Sequence, residues 1–124
     1  MYESMTAAVL RRTCNAVDSR TVRTLADLAE FVALAKELTV RGHAAFEADQ
    51  MLRLAAEAIL GRIGEAVGRL PEEFRIQHPE VNWAAIRGIR NLLSHEYHRI
   101  DYGIAWDTLV IGVPELAARL GLDG

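Results

Sequence analysis

The chain has 124 residues, 51% of them hydrophobic, with a formal charge of -3 and a single cysteine. That length bounds one domain with one core, small enough that a site shared between two copies is to be expected, and Cys14 alone excludes an internal disulfide or a cysteine-based zinc site. Thirteen arginines stand against one lysine, Lys36, so the net acidity excludes a generally basic nucleic-acid coat but leaves room for a local, fork-shaped grip on phosphate.

No apolar run approaches the length of a membrane span, and the first residues lack the basic region, apolar stretch and cleavage site of a signal peptide. A cytoplasmic protein is expected. Residues 1–23 read as an N-terminal extension, weakly packed or mobile: Met5 to Arg12 offers two turns of helix, and Thr13 to Thr24 shows no clear period. A domain over residues 24–120 follows, with 121–124 as a C-terminal tail. Its first helix is expected to be capped by Thr24, with Asp27 as an acidic partner. Leu25, Leu28, Phe31, Val32, Ala35 and Leu38 then recur at helical spacing as far as Arg41 and Gly42. A second, longer helix is expected from Ala44 to Leu70, its apolar stripe including Met51, Leu52, Ala55, Ile59, Ile63 and Val67, with Pro71 at its end. Gly61, Gly64 and Gly68 share one face of it. Each costs a helix about 1 kcal/mol relative to alanine, which suggests that another helix or another chain approaches closely there.

The connection from Pro71 to Glu80 is proline-flanked, with room for one helical turn. Asn82 is expected to cap a third helix through Trp83, Ile86, Ile89, Leu92 and Leu93, and a fourth runs from near Asp101 to Leu120 with a kink or break at Gly112-Val113-Pro114. No segment alternates with the two-residue period of a strand. The fold class is therefore all-α, an up-and-down bundle of four main helices.

Chemistry concentrates in Arg90-Asn91-Leu92-Leu93-Ser94-His95-Glu96-Tyr97. Arginine is a permanent cation shaped for phosphate, histidine exchanges protons near neutral pH, and a phenol donates a hydrogen bond or accepts a modification. On one continuous helix, positions 90 and 95 stand about 140° apart and 95 and 97 about 160° apart. Either the helix ends near Ser94 and the chain turns back toward Arg90, or the site is completed across an interface between two copies. In both cases His95 lies near a helix C-terminus, where the dipole favours imidazolium. His98 with His95 lacks a third ligand at helical spacing, so no metal site is expected. His43 and His78 read as ordinary loop histidines, and Trp83 and Trp106 as core rather than base-stacking residues. Tyr102 lacks the preceding histidine spacing of Tyr97.

Gly64-Glu65-Ala66, Leu70-Pro71-Glu72-Glu73, the approach from Pro79 to Trp83, Ile86-Arg87-Gly88-Ile89-Arg90-Asn91, and His95-Glu96-Tyr97 followed by Ile100-Asp101 and Trp106 resemble, in order and spacing, the HepT-type toxins of the HEPN superfamily. The resemblance runs from about Thr24 to Leu120 and centres on R-x4-H-x-Y. It implies a HEPN-like helical bundle that forms a homodimer, and a metal-independent ribonuclease that needs no cofactor. Arg90 and His95 would be catalytic, and Asn91 would support them. Glu65, in the Gly-Glu-Ala word, is a further supporting candidate, either holding an arginine near the site or standing as a solvated helix glutamate. The resemblance also implies a type VII toxin-antitoxin pair. In it an MntA-type nucleotidyltransferase antitoxin spends ATP to adenylylate Tyr97, the two proteins assembling into a larger hetero-oligomer. The RNA substrate, messenger or transfer, is left open. A different class of function is a non-catalytic helical dimer of the same superfamily that binds a nucleotide or the nucleotidyltransferase. The presence of both Arg90 and His95 favours the enzyme, since a binding-only domain could lose the histidine without penalty.

Overall fold

The computed structural model describes residues 19–94 and 100–122, with the backbone alone described at 87 and 90–94. Helix α1 spans Ser19–Thr39, α2 His43–Ala48, α3 Gln50–Gly68, α4 Glu72–Ile76 and α5 Trp83–Ser94; α6, Tyr102–Asp107, leads through a π-helical turn, Thr108–Gly112, into α7, Val113–Leu120. Among the described residues there is no strand. The architecture is the expected all-α, HEPN-like bundle: α1 and α5 both pack on α3, and the rod formed by α6, the π turn and α7 lies against α1 and α3.

The elements differ from the expected ones where local chemistry overrides the apolar period. Residues 19–23 are already helical, part of α1 rather than of an extension, and Thr21 is buried. Thr24 is no cap. It sits inside the helix, buried, its Oγ1 donating to the Arg20 carbonyl at 3.0 Å, the back-bond open to a hydroxyl within a helix. Helix α1 ends at Thr39 rather than at Arg41-Gly42, and Gly42, with φ 94° and ψ 157°, precedes α2 in an extended conformation that L side chains rarely adopt, not in the left-handed helical one.

The long second helix is two. Asp49 adopts an extended backbone, φ -119° and ψ 108°, and its carboxylate accepts from the Met51 N–H at 2.9 Å, so it caps α3 from inside what reads as one continuous pattern. The buried face of α3 is Ala56, Leu60, Ile63, Gly64, Ala66 and Val67, whereas Met51, placed on the apolar stripe by spacing, is 72% exposed. The three glycines also part company: Gly64 is buried within this chain, Gly61 is half-buried and Gly68 exposed. Gly64 is thus covered within the single chain, as part of the buried face of α3.

The Asn82 cap expected at the third helix is present, and Asp101, foreseen only as the approximate start of the fourth, caps that helix. Asn82 Oδ1 accepts from the Ala85 N–H at 3.1 Å, and Asp101 Oδ1 accepts from Gly103 at 2.9 Å and Ile104 at 3.2 Å. The kink foreseen around Pro114 takes another form. Residues 107, 108, 112 and 113 all keep right-handed helical dihedrals, and the rod continues through a widened turn in which the Val113 N–H bonds to the Thr108 carbonyl. A π turn just before proline absorbs the missing N–H and the crowding of its ring without breaking the helix. Gly121, at φ 69°, closes α7, and the Leu122 N–H reaches back to the Ala117 carbonyl at 2.7 Å, which buries Leu122. Residues 121 and 122, expected as tail, therefore belong to the packed domain.

Gly64→Leu puts a large side chain at a buried position on α3. It is expected to lower the unfolding free energy by roughly 1 to 3 kcal/mol, read from urea denaturation followed by circular dichroism; wild-type stability in that variant would show that position 64 has room.

Candidate active site

Helix α5 is placed by its own apolar residues. Ile86 and Ile89 are buried, 8% and 5% exposed, on the side of α5 that packs against α3. Position 90 follows Ile86 by four residues, about 40° further round the helix, and so lies beside this buried face. Asn91 is in the last described turn. Arg90 and Asn91 are thus carried on a helix held rigidly to α3. His95, Tyr97 and His98 fall in 95–99, outside the described residues.

The chain is described again at Ile100, and Tyr102, the phenol that lacked the motif spacing, proves to be the hub of a polar cluster. Its hydroxyl donates to the Glu57 carboxylate of α3. The Arg53 guanidinium lies 5.7 Å from the centre of its ring, and Phe46 meets that ring edge-on at 6.2 Å. Arg53 is itself oriented by the carbonyls of Phe46 and Glu47 at the end of α2, where the helix dipole favours a cation. The bond to Glu57 raises the Tyr102 pKa above its ordinary 10.0; burial and the Glu57 charge add to the effect, and Arg53 opposes it. A pocket of about 230 Å³ opens beside this group, lined by His43, Glu47, Arg53, Tyr102 and Gly103. Arg53 and Glu57 stand at the i, i+4 spacing of a helical pair. That spacing was visible in sequence; the partner 45 residues away was not.

Other residues singled out in the sequence sit away from this cluster. Glu65 is on the surface of α3, 4.0 Å from Arg69, an exposed pair worth about 0.3–0.5 kcal/mol. Trp83 and Trp106 pack against the core as expected, and the Trp83 indole N–H donates to the carbonyls of Arg75 and His78. His78 departs from the loop reading: it is fully buried, stacked 4.4 Å from Phe74, with Nδ1 3.3 Å from Glu80. A cleft of about 460 Å³ runs beside α5, bounded by Ala85, Gly88, Ile104, Asp107 and Ile111. Another of about 420 Å³, between α1 and α7, involves neither α5 nor the motif. Among the described residues no three His, Cys, Asp or Glu side chains converge on a metal position, and no helix is long and apolar enough to cross a membrane.

Comparison with known proteins adds to this geometry. The family profile described as Ribonuclease HepT-like matches residues 28–121, which takes in α5, the motif segment and the Tyr102 cluster. A candidate RNase of Caldanaerobacter subterraneus subsp. tengcongensis is 45% identical over 75 residues, 60% of this chain and 67% of that protein. A candidate RNase of Methanocaldococcus jannaschii is 39% identical over 69 residues, 56% of this chain and 57% of that protein. A candidate ribonuclease HepT of Thermococcus cleftensis is 32% identical over 98 residues, 77% of this chain and 87% of that protein. No solved structure matches the chain significantly.

The raised pKa has a sign that can be checked. Folding favours the neutral phenol of Tyr102, so its contribution to stability is complete below its unfolded value near 10.0 and is lost as pH rises through the higher folded value. The difference in ultraviolet titration between wild type and Tyr102→Phe is expected to show one phenol ionising above 10.0. A phenol that titrates at or below that value contradicts the hydrogen bond to Glu57.

Proposed function

This chain belongs to the Ribonuclease HepT-like family, and on that premise we propose that it is the toxin of a toxin-antitoxin pair, an endoribonuclease that cuts RNA without a metal ion and is silenced by adenylylation of Tyr97. The observation that carries the reading is that the family match spans Arg90, Asn91, His95 and Tyr97 together, on relatives named for ribonuclease activity.

In this mechanism the ribose 2′-hydroxyl attacks the adjacent phosphorus. Neutral His95 removes the 2′ proton, and a protonated histidine delivers one to the departing 5′-oxygen. Arg90 holds the non-bridging oxygens as negative charge builds on them, and Asn91 orients the phosphate. A homodimer supplies two copies of each group around one strand, so that one histidine starts neutral and the other charged. The overall acidity confines RNA binding to this arginine-bearing surface.

The antitoxin is a nucleotidyltransferase of the MntA type. It transfers AMP from ATP: the Tyr97 oxygen bonds to the α-phosphorus, pyrophosphate leaves, and the phenolic proton passes to solvent. Each AMP brings about one negative charge and an adenine to the place where Arg90 receives RNA, so the toxin is blocked both electrostatically and sterically without a change of fold. The toxin acts in the cytoplasm, and toxin and antitoxin associate as a hetero-oligomer.

Purified, unmodified protein is expected to cleave cellular RNA, and His95→Ala to lose that cleavage by at least two orders of magnitude while its circular dichroism stays unchanged. Full cleavage by folded His95→Ala would remove the histidine from the mechanism. Co-production with the nucleotidyltransferase and ATP is expected to add whole AMP units, mapped by mass spectrometry to Tyr97, with cleavage falling in step. AMP on Tyr2 or Tyr102 instead, or undiminished cleavage by the Tyr97 adduct, would overturn the regulatory part.

A further inference from the structure

On α2, His43 and Glu47 stand at the i, i+4 spacing and so share one face, and on α3 Arg53 and Glu57 do the same. The start of α6 lies beside both pairs. Between them is the pocket of about 230 Å³, walled by the rings of His43, Phe46 and Tyr102, the side chains of Glu47 and Arg53, and the backbone of Gly103. That volume falls below the roughly 300–1,000 Å³ of pockets for drug-sized ligands, so it suits one flat ring rather than a whole nucleotide.

The walls are held from behind. His43 and Phe46 rest on Trp106, with ring centres 5.2 and 5.0 Å away, and the Tyr102 hydroxyl is fastened to Glu57. Arg53 is fixed through Nη1 by the carbonyls of Phe46 and Glu47, which among the described residues leaves its Nε and Nη2 N–H groups to donate. The Glu47 side chain is 68% exposed and stands 3.7 Å from His43 Nε2, too far for a hydrogen bond, so its carboxylate is open to a ligand's donors. Glu47 and Glu57 together outweigh the one guanidinium, which disfavours a phosphate here.

We infer that this pocket binds a guanine base, with Glu47 accepting from N1–H and N2–H, Arg53 donating to O6, and the ring lying against His43 and Tyr102. Unpaired RNA bases are taken up in this way, by stacking on rings and hydrogen bonding along an edge. The carboxylate singles out guanine, because its two oxygens accept side by side and only guanine among the four bases presents two adjacent N–H groups with a carbonyl beside them. The base comes from a strand of RNA, a source that rests on the ribonuclease reading, or from a free guanine nucleotide with its phosphate in solvent. A cationic side chain of a partner protein fits less well, since it would meet Arg53.

The test titrates the full, isotope-labelled chain with GMP, AMP, CMP and UMP, and with 2′-O-methyl pentanucleotides that differ only in the central base and cannot be cut by 2′-hydroxyl attack. Nuclear magnetic resonance follows the His43 and Tyr102 rings and the Gly103 amide. Guanine is expected to move these signals and to bind at least about tenfold more tightly than the other bases. Glu47→Ala is expected to weaken it about ten- to a hundredfold, the worth of hydrogen bonds to a charged group, with circular dichroism unchanged. Guanine preference among the pentanucleotides assigns the pocket to RNA; preference among the mononucleotides alone assigns it to the free nucleotide. Unmoved signals, equal affinity for the four bases, preference for another base, or full binding by folded Glu47→Ala would overturn the assignment, as would N-acetylarginine amide binding there in place of guanine. No arm depends on cleavage, so a protein that binds guanine without cutting RNA would overturn the ribonuclease reading alone.

Discussion

Burial of one face of α3 between α1 and α5 is the constraint on which the rest of the molecule depends. Ala56, Leu60 and Ile63 on that face are fully buried and Val67 nearly so. Burying a leucine, isoleucine or valine is worth about 1.5–3 kcal/mol. The surface ion pairs Glu65–Arg69 and Glu115–Arg119, both well exposed, contribute only about 0.3–0.5 kcal/mol each. Apolar packing therefore decides where α5 lies, and α5 carries Arg90. Gly64 lies on the same buried face.

A second layer of control is polar and works on the turns that packing leaves loose. Asp49, Asn82 and Asp101 each satisfy N–H groups at a helix start, and so set where α3, α5 and α6 begin. Tyr102 then joins the start of α6 to α3 through Glu57.

Legibility in the sequence followed the range of the interactions. The all-α class, the bundle, the cap at Asn82 and the start of a helix near Asp101 were readable because helical periodicity and capping act within a few residues. The break at Asp49 was not, since apolar residues on both sides of it keep a helical spacing and the period runs straight through. The helical character of residues 19–23 escaped for a related reason: Thr21 and Thr24 are polar by type yet buried, so they look like a boundary. Glu57 and Tyr102 escaped because their bond spans 45 residues and depends on the packing of α6 against α3. His78 gave no signal of burial, lying between a glutamine and a proline in a connection that reads as exposed loop. The motif residues are picked out as a set by their order and spacing, a property of the words in the chain rather than of any local geometry.

Attack by the 2′-hydroxyl, assisted by histidine and arginine alone, is the central chemical claim, and the ends of the RNA products test it most directly. Cleavage in the presence of EDTA, followed by analysis of the fragment termini, is predicted to yield 2′,3′-cyclic phosphates and 5′-hydroxyls, with no cleavage where a 2′-deoxynucleotide precedes the scissile phosphate. Fragments bearing 5′-phosphates and 3′-hydroxyls, or activity abolished by the chelator and restored by a divalent ion, would contradict it.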